Sequence, residues 1–168
     1  MNTSTQDIIK ILFDIEAIKI NTTRPFTFSS GVTSPIYCDN RLIISYPEYR
    51  KRITAAFIET IKQHSISCDI IVGTATAGIP HAAWLADQLQ LPLAYVRSKA
   101  KSHGKQNQIE GKIKPGQRAV IIEDLISTGN SALTAATALK QADCVVEHCL
   151  AIFNYNMPVS QPQFQSQQ

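Results

Sequence analysis

Four short apolar runs, separated by segments with helical periodicity, constrain the fold of this chain more than any other feature. The runs span residues 70–72, 93–96, 119–122 and 145–153. Helical patterns occupy residues 80–89 and 131–141. Unbroken apolar runs are typical of strands buried on both faces, and such strands alternate with helices in parallel sheets. The pattern therefore predicts an α/β fold with a central, mostly parallel sheet flanked by helices.

The part of the chain before these runs has a different pattern. A helix is predicted to begin after Ser4, whose hydroxyl can cap the first turn. Residues 24–41 predict a β-hairpin, because alternating phenylalanines are followed by turn residues and then by an extended run at residues 36–38. A second helix is predicted to begin near Pro47, since proline favours the first helical position.

The length of 168 residues fits one domain. We expect that domain to span residues 1–157, with the N-terminal helix and hairpin in residues 1–45 and the core in residues 46–157. Residues 158–168 (PVSQPQFQSQQ) are rich in glutamine, proline and serine, a composition that predicts a disordered tail.

Composition excludes several protein classes. No apolar run approaches the roughly 18 residues that a membrane helix needs, and the N-terminus shows no secretory signal. The four cysteines are Cys38, Cys68, Cys144 and Cys149. None of them forms a C-x-x-C pair or a cluster with zinc spacing, so we expect reduced thiols in a cytoplasmic protein.

Positive charge is concentrated in one stretch. Residues 97–118 contain seven lysines and arginines against a single acid, Glu110, so this stretch carries +6 while the whole chain carries +3. A local concentration of this kind favours a polyanion site over a general nucleic-acid surface. A solvated basic loop is the alternative explanation.

The segment VIIEDLISTGNSA, residues 120–132, carries the strongest chemical signal. A buried strand is predicted to end in Glu123 and Asp124, and small hydroxyl residues with Gly129 lead into a helix. Ligands of parallel sheets bind at the carboxyl ends of the strands, and helix N-termini bind phosphate. The combination indicates a phosphorylated sugar, with the carboxylates taking sugar hydroxyls or a bound Mg²⁺. Alternatively, the two acids only cap the next element.

Two other phosphate-binding motifs are missing from the sequence. Residues 73–78 have the glycine spacing of a Walker A loop, but no Lys-Ser/Thr pair follows, and G-x-G-x-x-G does not occur. This argues against nucleoside triphosphates and dinucleotides as ligands.

Three segments together resemble the orotate phosphoribosyltransferases of the type I phosphoribosyltransferase family. Residues 120–132 are similar to that family's motif for phosphoribosyl pyrophosphate (PRPP). Residues 97–111 (RSKAKSHGKQNQIEG) resemble its catalytic loop, and residues 26–41 (FTFSSGVTSPIYCDNR) resemble its orotate-side segment. The resemblance covers roughly residues 8–155 and implies the type I fold, with a small N-terminal hood formed by residues 1–45.

The resemblance also implies a reaction. The 5-phosphoribosyl group of PRPP would pass to orotate, giving orotidine 5′-monophosphate and pyrophosphate in pyrimidine biosynthesis, with Mg²⁺ held mainly by PRPP. It further implies a homodimer, in which the basic loop completes the neighbouring site. The substrates are small molecules, and we expect neither nucleic acid nor a membrane as partner.

The resemblance also implies roles for the individual residues that match the family's motifs. Lys101 and Asp124 are expected to be catalytic. The residues expected to bind PRPP are Arg97, Lys101, His103, Glu123, Asp124, Leu125, Ile126, Ser127, Thr128, Gly129, Asn130, Ser131, Thr74 and Ala75. The residues expected to contact orotate are Ser127, Tyr37 and Arg41.

The chain departs from the family pattern at Ser29, Ser98 and Tyr155, where some members carry basic residues. These differences bear on the orotate contacts more than on the PRPP contacts. Family members usually continue for a few dozen residues beyond the equivalent of Tyr155, so we also expect a shortened C-terminus. Two alternatives therefore stay open: a phosphoribosyltransferase for another nucleobase, or a truncated PRPP-binding paralogue with little or no activity.

Overall fold

The computed structural model describes residues 4–28, 31, 33–98 and 108–157. In chain order its elements are α1 (Thr5–Asp14), β1 (Ile18–Ile20), β2 (Phe26–Thr27), β3 (Thr33–Ser34), β4 (Ile36–Cys38), a 3-10 helix (Asn40–Ser45), α2 (Pro47–Gln63), β5 (Ile70–Thr74), α3 (Gly78–Leu89), β6 (Leu93–Val96), β7 (Ile109–Glu110), β8 (Arg118–Ile126), α4 (Asn130–Gln141) and β9 (Val145–Asn154). Five strands form the central sheet, in the order β7-β6-β5-β8-β9. All neighbours in it are parallel except β6 and β7. The predicted α/β class and mostly parallel sheet are confirmed.

Both faces of the sheet are covered by helices. Ile71 and Ile122 pack on the side that carries α1, α2 and α3, whereas Ile70 and Ile121 pack on the side of α4. All four side chains are at most 1% exposed. Because successive residues of a strand point to opposite faces, a strand covered on both sides must be apolar at every position. This explains why the predicted runs are unbroken.

The predicted helix starts are confirmed. Ser4 caps α1 in a reciprocal arrangement, in which the Asp7 amide donates to the Ser4 hydroxyl and the Ser4 amide donates to the Asp7 carboxylate. This capping box satisfies two amides that the helix itself leaves unpaired. Pro47 is the first residue of α2.

The N-terminal region forms two antiparallel ribbons, and the hairpin predicted for residues 24–41 is only partly right. β2 pairs with β3 as a hairpin. β4 instead pairs with β1, with Cys38 opposite Ile18. The sequence analysis missed β1, because its three residues are too few to show a period and two of them are exposed.

Two further corrections concern the central sheet. The strand predicted to end at residue 122 continues through Ile126, because β9 pairs with β8 as far as Asn154 and keeps the backbone extended. Glu123 and Asp124 therefore lie within β8 and not after it. Residues 97–111, which the resemblance identified as a loop, contain β7 near their end.

Residues 158–168, for which we predicted a disordered tail, lie outside the described residues, as do residues 99–107 of the basic stretch. Across the described ranges, no helix is both long enough and apolar enough to span a membrane.

Candidate functional site

The carboxyl ends of β5, β6 and β8 meet along one edge of the sheet and border two adjoining cavities. The first, the β5–β6 cavity, has a volume of about 200 Å³; its lining residues are Thr74, Ala75, Val96, Arg97, Ser98, Asn130, Ser131 and Thr134. The second, the β8-loop cavity, has a volume of about 50 Å³; its lining residues are Glu123, Leu125, Ile126, Ser127, Thr128, Gly129, Asn130, Ser131 and Ala132. Asn130 and Ser131 line both, so the two cavities are parts of one site. The edge is the one at which parallel sheets bind ligands.

A larger cavity, of about 680 Å³, lies elsewhere, between α1, α2 and the end of β9. It is lined by none of the residues that the sequence analysis assigned to a site. We place the candidate site at the sheet edge, because charged and hydroxyl side chains converge there.

The acidic pair lies where β8 extends past β5. The last pair between these strands joins Gly73 to Ile122, so Glu123 and Asp124 are the first β8 residues beyond it. Glu123 is only 6% exposed, and Asp124 is half-buried. Burial raises the pKa of both carboxyl groups, and the neighbouring charge of Asp124 adds to the rise for Glu123. Hydroxyl groups of a ligand, which donate hydrogen bonds without adding charge, suit such a pair.

Thr74 ends β5 and joins this strand to the acidic pair. Its hydroxyl donates to the carbonyl of Ile122 at 3.3 Å and lies close enough to the carboxyl group of Glu123 to oppose the rise in the pKa of Glu123. The following residue, Ala75, lines the β5–β6 cavity. Side chains this small leave the backbone amides of the turn accessible to an anion.

Gly129 forms the turn between β8 and α4. Its φ of +86° lies in the left-handed region, which a glycine adopts without steric cost. Gly129 is also the N-cap of α4, so the first amides of a 12-residue helix begin at the β8-loop cavity. Unpaired amides and the helix dipole favour an anion here. Ser127 and Thr128, which both carry hydroxyls, line the same cavity.

Arg97 brings positive charge to the β5–β6 cavity. Its backbone amide donates to the carbonyl of Gln108 at 2.9 Å, and the Gln108 side chain donates back to the Arg97 carbonyl at 2.8 Å. The Arg97 guanidinium lies 3.6 Å from the Glu110 carboxylate. These contacts join Arg97, at the start of the basic stretch, to Gln108 and Glu110 in its middle. Lys101 and His103, the other predicted contacts in this stretch, lie outside the described residues.

Tyr37 and Arg41 line neither cavity. The Tyr37 ring packs against Phe26, with ring centroids 5.5 Å apart. Arg41 is exposed and forms an ion pair with Asp39 at 2.6 Å, although its charge is close enough to lower the pKa of Asp124. Their predicted contacts with orotate therefore stay predictions.

The sequence analysis missed several residues of the site. Ser98 and Thr134 line the β5–β6 cavity, and Asn40 binds the backbone of Asp124. Thr134 follows Asn130 and Ser131 at helical spacing, so periodicity alone could have placed it on their face. No local signal marks Asn40, because its partner lies 84 residues away.

Comparisons with known proteins show the family to which the chain belongs. The family model described as phosphoribosyl transferase domain matches residues 45–159. The orotate phosphoribosyltransferase of Coxiella burnetii is 58% identical over 164 residues, which are 98% of this chain and 78% of that protein. The chain belongs to the orotate phosphoribosyltransferase family. The member from Halalkalibacterium halodurans is 52% identical over 161 residues, 96% of this chain and 77% of that protein.

Solved structures place the chain in the same family of folds. The crystal structure of orotate phosphoribosyltransferase from Aeropyrum pernix matches with a TM-score of 0.82 and 28% identity, covering 95% of this chain and 88% of that one. Adenine phosphoribosyltransferase from Saccharomyces cerevisiae, at 21% identity, shares the fold, with a TM-score of 0.73 and 94% of each chain covered. The family and fold that three sequence motifs predicted are thus confirmed.

Proposed function

We propose that this orotate phosphoribosyltransferase family member is a pentosyltransferase that moves the 5-phosphoribosyl group of PRPP to orotate. The products are orotidine 5′-monophosphate and pyrophosphate, and the reaction belongs to pyrimidine biosynthesis. One observation carries the proposal. An acidic pair, of which the buried Glu123 lines the β8-loop cavity, lies at one sheet edge beside an amide-lined turn and an arginine-bearing cavity, in a chain that is 58% identical to an orotate phosphoribosyltransferase.

The sugar phosphate would occupy the β8-loop cavity. The 5′-phosphate accepts hydrogen bonds from the amides and hydroxyls of residues 127–131, at the start of α4. Glu123 and Asp124, beside this turn, accept hydrogen bonds from the ribose hydroxyls. Since burial disfavours the charged form of both carboxyl groups, these donors compensate for the water that the pair has lost.

The diphosphate would occupy the β5–β6 cavity, between the turn at Thr74 and Ala75 and the guanidinium of Arg97. When the bond between the anomeric carbon and the diphosphate breaks, positive charge develops on the ribose and negative charge on the leaving group. Catalysis then consists mostly of positioning and charge stabilisation. We propose that Lys101 and His103 join Arg97 in neutralising the leaving group.

The side chains of the site fit Mg²⁺ only if the ion is held mainly by PRPP. Among the described residues, no group of three or more histidine, cysteine, aspartate or glutamate side chains could hold a metal. Glu123 and Asp124 could supply one or two carboxylates. Because Mg²⁺ is usually bound through one or two carboxylates and substrate phosphates, PRPP would supply most of its ligands. When bound, the ion would neutralise diphosphate charge.

Orotate would lie beside Ser127, near the anomeric carbon. We propose that Tyr37 and Arg41, which belong to the N-terminal ribbons, contact the base when substrate is present. We further propose a homodimer in which the basic stretch of one protomer completes the site of its partner. The division into an N-terminal hood (residues 1–45) and a core (residues 46–157) is part of the same proposal.

The direct test is loss of orotate absorbance when the purified chain is mixed with PRPP and Mg²⁺. We expect turnover with orotate and none with uracil, adenine or hypoxanthine. Turnover with another base alone would reassign the acceptor. PRPP binding by calorimetry without turnover on any base would favour a non-catalytic paralogue, and a lack of PRPP binding would refute the proposal. Asp124→Asn is the matched negative control, because it keeps the size of the side chain and removes its charge.

A further inference from the structure

Asn40 is a buried polar residue that connects the N-terminal ribbons to the acidic pair. Its side chain is 1% exposed, and both ends of the amide are bonded. The nitrogen donates to the backbone carbonyl of Asp124 at 2.5 Å. The oxygen accepts a hydrogen bond from the thiol of Cys38 at 3.1 Å. Burial raises the pKa of this thiol to about 12, so it keeps the proton that it donates.

The bond to Asp124 falls at a position where the sheet gives less support. The ladder between β5 and β8 ends at Ile122, two residues before Asp124. Beyond this point, β9 is the strand that pairs with β8 among the residues that the structure describes. A buried carbonyl without a donor costs free energy, and the side chain of Asn40 supplies the donor. The backbone that carries the Asp124 carboxylate is therefore held from outside the sheet.

We propose that Asn40 is a positioning residue that fixes the backbone of Asp124, and thereby aims its carboxylate at the ribose hydroxyls of PRPP. The role of Asp124 in this statement rests on the proposed function. A buried amide with both ends bonded holds one orientation, and a carboxylate acts on a ligand only when its geometry is set in advance. Asn40 itself lines neither the β5–β6 cavity nor the β8-loop cavity.

A second cross-link in the same region provides a matched control. The backbone amide of Cys38 donates to the hydroxyl of Tyr155 at 2.9 Å. This bond also ties β4 to the core, but it ends on the chain after β9 and not on the acidic pair. Tyr155→Phe removes it while keeping the ring, which packs between Phe28 and Phe153.

The experiment compares Asn40→Ala with Tyr155→Phe. We expect both variants to melt at a lower temperature than the parent, since each loses one cross-link. Only Asn40→Ala should weaken PRPP binding, by about tenfold in calorimetry and in the KM for PRPP, as for the loss of one hydrogen bond. The KM for orotate should stay at the parent value. Asn40→Leu, which fills the same volume without a donor, is measured in parallel in case the alanine variant does not fold.

Equal PRPP affinity in the parent and in either Asn40 variant would overturn the proposal, as would an equal loss of affinity in Tyr155→Phe. Amide hydrogen exchange without ligand supplies a readout that is independent of activity. Peptides covering residues 123–126 should exchange faster in the Asn40 variants than in Tyr155→Phe. Unchanged exchange would contradict the proposal that Asn40 fixes the backbone of Asp124. If the parent itself fails to bind PRPP, the proposed function fails, while the exchange measurement still decides whether Asn40 fixes Asp124.

Discussion

Gly78, at the start of α3, packs directly against the backbone carbonyl of Ile122 in β8. A Cβ atom at this position would collide with that carbonyl oxygen and would lie 2.5 Å from the Thr74 hydroxyl. The missing side chain therefore lets α3 begin beside the last residue of β8 that pairs with β5. Glu123 follows at once, so this close approach also sets the distance between the Thr74 turn and the acidic pair.

Replacing Gly78 by alanine should lower the free energy of unfolding by about 2–3 kcal/mol, because neither the backbone carbonyl nor the buried Thr74 can move away from the new methyl group. Urea unfolding measures the loss. Gln88→Ala, at an exposed position of the same helix, is the control and should change stability little. A Gly78→Ala variant as stable as this control would show that the contact is not restrictive.

Glu123→Gln should stabilise the fold and weaken binding. The native pKa of Glu123 is raised by burial, so the parent loses folding free energy as pH rises above the unfolded value of about 4.5. Glutamine carries no charge, and the variant should therefore gain melting temperature over the parent, more at pH 8 than at pH 5. PRPP affinity should fall in the same variant. The exposed Glu147→Gln serves as control, and a gain that does not depend on pH would contradict the assignment.

His81 should make the protein sensitive to mild acid. Its ring is 1% exposed, and neither ring nitrogen has a hydrogen-bond partner within the part of the chain that the structure describes. Burial lowers its pKa to about 4. The native state therefore favours the neutral imidazole. The stability that His81 contributes is complete above its unfolded pKa of about 6.5 and is lost as pH falls towards 4.

His81→Phe removes this titration. The difference in unfolding free energy between variant and parent should change by an amount on the order of 3 kcal/mol between pH 7 and pH 4, since each pKa unit corresponds to about 1.4 kcal/mol. Urea unfolding across this range measures the change, with the exposed His64→Phe as control. Parallel pH profiles for His81→Phe and the parent would mean that His81 titrates normally in the native state.

Lys101→Ala should lower kcat by about 100-fold or more while PRPP still binds, because the lysine is proposed to act on charge that develops as the diphosphate leaves. Lys112→Ala, in the same basic stretch, removes an equal charge outside the proposed contacts. Steady-state kinetics and calorimetry on both variants separate the two effects. Equal kcat values for the two variants would mean that the basic stretch only attracts the anionic substrate and that Lys101 has no specific role in the reaction.

Local sequence determined most of the elements in the core. β5, β6, β8 and β9, with α2, α3 and α4, follow from apolar periodicity, because a residue buried on either face of a sheet or on one helix face must be apolar. The PRPP motif in residues 120–132 could also be found in the sequence, because its acids, hydroxyls and glycine are neighbours in the chain. Their assignment to PRPP, however, came from the family resemblance and not from the pattern alone.

Tertiary structure decided what depends on distant partners. β1 and β7 are too short to show a period. Each forms because a neighbouring strand, β4 for β1 and β6 for β7, supplies its hydrogen-bonding partners. β8 extends through Glu123 and Asp124, which interrupt its apolar run, because β9 pairs with it throughout. Asn40 reaches Asp124 across 84 residues. Periodicity records which face of an element is buried, but it carries no information on which remote group completes a buried hydrogen bond, and packing alone determines that.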